Sequence, residues 1–92
     1  WQKARVLYNL GTLRLAQKQP IEALELFQQI DPLDLSLPIF GRDLFLNEGI
    51  AYLHYAHTLP TFDQQLLFIE QGLKAFKQAQ LLDCQVQKEE QK

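Results

Sequence analysis

Apolar residues recur at every third or fourth position along nearly all of this 92-residue chain, and nowhere do apolar and polar residues alternate as in a half-buried strand. The pattern predicts an all-α fold of four helices. A first helix runs from about Gln2 to Lys18 and has to stop before Pro20, whose ring would clash with the preceding turn and whose nitrogen has no proton to donate. The same proline suits the first position of a second helix, where no intrahelical donor is needed. That helix sets Ala23, Phe27 and Ile30, with Leu24 beside them, on one face and ends at Asp31-Pro32. Leu33 to Pro38 reads as an ordered loop that packs its leucines, with Ser36 placed to cap the third helix. This third helix begins between Leu37 and Arg42 and runs to about His57. Leu46, Ile50 and Leu53 occupy one of its faces and Phe45, Tyr52 and Ala56 another, leaving a polar strip through Asp43, Asn47 and His54. A helix so nearly apolar all round is expected at the centre of the domain, buried on several sides. Thr61-Phe62-Asp63-Gln64 is a capping box that opens a fourth helix. There Phe62, Leu66, Ile69, Leu73, Phe76, Ala79, Leu82 and Val86 keep helical spacing over about 25 residues. The charged end, Gln87 to Lys92, is expected to fray.

Glycine inside a helix costs about 1 kcal/mol relative to alanine, yet Gly11 stands well inside the first helix and Gly49 inside the third. The segments around them match: Tyr8-Asn9-Leu10-Gly11 and Phe45-Leu46-Asn47-Glu48-Gly49 each place Asn two residues before Gly. Each is followed by a helix bearing a small residue and, four later, Phe: Ala23 with Phe27, then Gly72 with Phe76. This is a repeated helical hairpin, and neither hairpin alone could bury its apolar face, so stacking forms the core. The small residues are expected to let Gly11 approach Ala23 and Gly49 approach Gly72, with Phe27 and Phe76 wedged into the next layer.

In these residues the chain resembles the tetratricopeptide repeat (TPR) family, whose hairpin reads W-x2-L-G-x2-Y, then A-x3-F, then P. Leu7, Leu10, Gly11, Ala23, Phe27 and Pro32 stand for that series in the first unit, with Arg14 in place of the Tyr and the proline early. The second unit departs further. Phe45, Gly49, Tyr52, Phe76 and Ala79 fit, but Glu48 replaces the Leu, Gly72 replaces the Ala, and eleven more residues separate Gly49 from Gly72 than separate Gly11 from Ala23. The resemblance implies one TPR-like domain over residues 1–92, made of two stacked antiparallel hairpins, unit one at 2–31 and unit two at 38–88. The added residues would leave Phe62, Leu66 and Ile69 projecting, and since a large apolar patch is rarely left open the leucines of loop 33–38 are expected to cover them, an outside partner helix or a second copy being the alternative.

Composition narrows the function. The chain has no Met and opens on Trp1, which reads as a segment of a longer protein. Eleven acidic against nine basic residues give a net charge of −2, without the basic face a nucleic-acid contact needs. No apolar run reaches the ~18 residues of a membrane span. The charge is uneven: Lys3, Arg5, Arg14 and Lys18 stand in residues 1–21 with no acid, whereas residues 22–70 hold eight acids against Arg42 alone. Complementarity between neighbouring helices is the simpler expectation, a basic contact for an acidic partner segment the other. Cys84 has no second cysteine to pair with and reads as a small helical hydrophobe. His54, His57 and Glu48 fall near one side of a helix, but three such residues in an aromatic surrounding make a poor metal site, and neither a metal nor another cofactor is expected. No phosphate-binding loop, nucleotide fingerprint or nucleophile elbow occurs, so no enzymatic activity is expected.

The resemblance implies a scaffold or adaptor that binds a protein or peptide segment in a concave groove lined by the first helix of each unit. Arg5, Tyr8, Asn9 and Thr12, then Asp43, Asn47, Ile50 and His54, would line it, with Asn9 and Asn47 either donating to and accepting from a peptide backbone or merely tying helix ends together. Chaperone-binding relatives clamp a terminal carboxylate with Lys, Arg and Asn. Tyr8 and Thr12 stand where that clamp would need Lys and Asn, so an EEVD-ending tail is not expected to bind. The alternative is a structural segment that docks onto neighbouring repeats of its own chain or self-associates through the long fourth helix.

Overall fold

The computed structural model describes residues 2–30 and 38–90. They form four helices, α1 (Gln2–Ala16), α2 (Pro20–Gln28), α3 (Pro38–His57) and α4 (Phe62–Glu90), and no strand is found among the described residues. The all-α fold follows the periodicity. Helix α1 ends in a tight reversal: Lys18 takes a positive φ of 63°, and the amides of Lys18 and Gln19 donate to the carbonyls of Leu15 and Arg14 at 3.0 and 2.9 Å. That is a Schellman closure with lysine where glycine is usual. Pro20 then opens α2 as its first residue. The second helix stops at Gln28, short of the expected Asp31, and Ile30 is buried in the turn after it.

At the other hairpin the Thr61 hydroxyl accepts from the Gln64 amide at 3.3 Å, the first half of the capping box. Gln65 Nε2 donates to the Leu59 carbonyl at 2.8 Å and pins the turn. Helix α4 is longer than expected, with 29 residues, about 43 Å at the standard rise. It carries the charged segment as helix as far as Glu90.

Helix α3 packs against each of the other three and is the central element. Ala4, Leu7, Ala23, Phe27, Ile30 and Leu44 make one buried cluster from α1, the α2 hairpin arm and the first turns of α3, with Tyr8, Leu15, Leu26 and Phe40 laid against it. Outside that cluster Leu24 on α2 and Val86 on α4 are buried as well, and the other buried apolar residues are small, Ala51 and Ala56 on α3 and Ala75 and Ala79 on α4.

The glycines have the structural role expected of them but a different partner. A Cβ on Gly49 would lie 2.6 Å from Phe76 Cε1, and one on Gly11 would enter the ring of Phe27 in the same way. Each phenylalanine therefore lies flat over the glycine of its own hairpin instead of wedging into the next layer, although Phe27 also reaches Leu44 within the buried cluster. The close approach of Gly49 and Gly72 is present: a Cβ on Gly72 would stand 3.2 Å from the Gly49 carbonyl oxygen.

Two further expectations are corrected. Leu46 and Leu53, assigned to a buried face of α3, are 44 % and 36 % exposed, because α1 and α2 pack on one flank of α3 and α4 on another, and no further described helix covers the rest. No ion pair joins α1 to the described acids of the middle of the chain: among the described residues the ion pairs are Arg42 with Asp43 at 3.2 Å and with Asp83 at 2.9 Å, both within the second hairpin. Loop residues 33–37, the expected cover for Phe62 and Leu66, lie outside the described residues, as does the Ser36 cap.

Candidate functional site

The residues expected in the groove come from one stripe of α1 and one of α3. Repeating every three or four positions, Arg5, Tyr8, Asn9 and Thr12 stay on one side of α1, and Asp43, Asn47, Ile50 and His54 on one side of α3. The structure joins the middle of the two stripes. Asn47 Nδ2 donates both to the Tyr8 hydroxyl at 3.0 Å and to the Asp43 carbonyl one turn earlier at 2.9 Å. The Tyr8 ring meets Phe40 edge-on, centroids 5.4 Å apart, and lies tilted against Phe27 at 6.1 Å. Tyr8 is thus the joint between hairpins, its ring among aromatics from α2 and α3 and its hydroxyl held from α3. Burial, reinforced by the nearby Asp43 carboxylate, pushes the Tyr8 phenol pKa up.

Around that joint the other residues divide. Arg5 and Asn9 are exposed on α1. Thr12 is half-buried, and its hydroxyl donates back to the Asn9 carbonyl at 2.8 Å, so it serves its own helix. With both Asn47 donors occupied, the free backbone grip of this stripe belongs to Asn9, and Asn47 retains its carbonyl oxygen. Ile50 and His54 turn towards α4, where they line a hollow of about 370 Å3 with Leu53, His57, Gln65 and Ile69. The eight residues therefore fall in two places: a polar contact between α1 and α3 at Tyr8 and Asn47, and an apolar hollow between α3 and α4.

A second hollow of about 490 Å3 continues the line along α3 and α4, bordered by Arg42, Asp43, Leu46, Phe76, Ala79 and Asp83. Leu46, Leu53, Leu73 and Phe76 were not singled out as surface residues by the periodicity, which marks a residue as apolar without saying which neighbour covers it. The repeat contained the signal: their counterparts in the first hairpin, Tyr8, Leu15, Leu24 and Phe27, are all buried or half-buried.

Among the described residues no group of three or more His, Cys, Asp or Glu is placed to hold a metal ion. Glu48 lies on another side of α3 from His54 and His57, in a shallow groove with Tyr52, Gln71 and Lys74, where burial raises its carboxyl pKa above the ordinary value. Among the described residues no helix is long and apolar enough to cross a membrane. Comparison with protein-family models, with curated proteins and with solved structures gives no match.

Proposed function

We propose that the chain is a non-catalytic protein-interaction module of TPR-like build, which holds an extended segment of a partner protein along the furrow between α1 and α3. The observation that carries the reading is the Asn47–Tyr8 hydrogen bond across the hairpin boundary. It fixes α1 and α3 side by side, so that the exposed Arg5 and Asn9 stand at a set spacing from Asp43. A rigid pair of helices with charged and amide groups at fixed separations binds with little ordering cost on its own side. Asn9 supplies donor and acceptor to a peptide backbone, and Arg5 a cation opposed by no acid within α1, which favours a segment with an acidic residue at that point.

The test is selection of binders from a random-peptide phage library, then calorimetry of the recovered peptides on the unmodified chain and on its Arg5→Glu and Asn9→Ala variants. Recovered peptides should lose affinity at least tenfold with either substitution. An EEVD-ending peptide should not bind tightly. Failure to recover any binder, or recovery of peptides indifferent to both substitutions, would contradict the furrow as the binding site.

A further inference from the structure

On the side of α3 turned away from Leu46, α3 and α4 share a shallow groove around Glu48, and we propose that this groove binds an arginine side chain of a partner protein.

The groove belongs to the repeat. Counted from the small residues of each hairpin, Leu10, Arg14, Glu22 and Glu25 line it in the first hairpin, and Glu48, Tyr52, Gln71 and Lys74 line it in the second. In the first hairpin the chain supplies a guanidinium of its own. Arg14 borders the groove together with the carboxylates of Glu22 and Glu25, and its Nη1 donates to the side-chain oxygens of Gln17 and Gln19 at 3.1 and 3.4 Å. In the second hairpin a tyrosine stands at the arginine's position and a carboxylate at the place of Leu10. The resident guanidinium is replaced by an aromatic wall and an anion.

That anion has no counterion. Glu48 is half-buried, and among the described residues it makes no hydrogen bond and no ion pair, although Lys74 borders the same groove. A carboxylate drawn out of water without a partner costs folding free energy that a leucine there would not, and burial raises its pKa for the same reason. An incoming cation offsets that cost. Guanidinium suits these walls better than ammonium, because it is more weakly hydrated, its flat fork takes both carboxylate oxygens, and it stacks on aromatic rings. Tyr52 offers such a ring, held by stacking on Phe68 with centroids 6.4 Å apart, and Gln71 adds an amide oxygen that accepts. The hollow measures about 180 Å3, below the ~300 Å3 at which sites for free small molecules begin. It has room for one side chain, so the arginine arrives on another protein. Glu48 and Tyr52 lie on a different side of α3 from Asn47, and the groove stands whether or not the furrow binds a segment.

The experiment is an NMR titration of the isotope-labelled chain with end-blocked Gly-Arg-Gly, and with the same tripeptide carrying lysine or the uncharged citrulline in place of arginine. The arginine peptide should shift the backbone amides of Glu48, Tyr52 and Gln71 saturably and bind about threefold more tightly than the lysine peptide. The citrulline peptide should leave those amides in place. Glu48→Gln keeps the shape and removes the charge; it should abolish the response while the variant stays folded, since no uncompensated carboxylate remains. Lys74→Ala removes the cation that competes for Glu48 and should tighten arginine binding about twofold. Arg5→Glu, in the furrow, should leave the titration unchanged, so that failure of the furrow and failure of the groove are read separately. The inference is overturned by the absence of a saturable shift, by binding that survives Glu48→Gln or is lost with Arg5→Glu, by equal affinity for lysine and arginine, or by weaker binding on Lys74→Ala.

Discussion

Leu24 and Leu73 occupy the same place in two successive hairpins, three residues before a phenylalanine that lies on a glycine, and one is buried while the other faces solvent. The hairpins agree in what happens inside them and differ in what covers them. Inside, Phe27 rests on Gly11 and Phe76 on Gly49. Outside, α3 closes the first hairpin, and no described element closes the second. The comparison separates two sources of stability that a repeated sequence encodes together, packing within a hairpin and packing between hairpins, because the second hairpin displays the first without one side of the other.

Truncating the two phenylalanines should give the largest effects and an unequal pair. Phe27→Ala removes a fully buried ring and should cost about 3 to 5 kcal/mol, enough to unfold much of the population, whereas the half-buried Phe76 should cost about 2 kcal/mol, both read from urea denaturation. Equal losses would mean that the second hairpin is as fully enclosed as the first. Tyr8→Phe removes the hydroxyl that Asn47 holds and should cost about 1 kcal/mol. Its counterpart Leu46 has no hydroxyl to lose, so this loss measures what joins the hairpins.

The smallest effect concerns Glu48, which replaces the first hairpin's Leu10. Burial raises its pKa above the ordinary 4.5 in the folded state. The folded chain therefore keeps the proton where the unfolded chain has released it, so the contribution of Glu48 is full below that ordinary value and declines as the pH rises through the raised one. Glu48→Gln should raise the melting temperature at pH 7 and leave it unchanged at pH 4. An equal shift at both values would show that charge is not the cause.

The helices themselves could be read in the sequence because each boundary has a local chemical cause. Pro20 opens α2 and Thr61 caps α4. The repeat could be read for the same reason, since Gly11 and Gly49 are conspicuous in otherwise strong helix formers. What escaped was tertiary. The sequence places Tyr8 and Asn47 on the right faces, but their hydrogen bond spans 39 residues and depends on how α3 lies across the first hairpin. The Arg42–Asp83 pair spans 41 residues and escaped likewise. Lys18 gave no sign of a left-handed closure, because the bonds that hold it belong to the backbone. Leu46 and Leu53 looked buried because periodicity marks a residue as apolar without saying which neighbour covers it, and both are exposed.

The claim that both hairpins are one packing unit is tested most directly by a pair of double-mutant cycles read in urea denaturation, Gly11→Ala with Phe27→Leu and Gly49→Ala with Phe76→Leu. With the phenylalanine in place, the added methyl meets the ring and should cost about 1 to 3 kcal/mol. With leucine in its place, the clash is relieved and alanine's helix preference, about 1 kcal/mol, should make the same substitution neutral or stabilising. The account predicts this reversal in both hairpins. An alanine whose effect is the same with phenylalanine or leucine opposite it, in either hairpin, would contradict it.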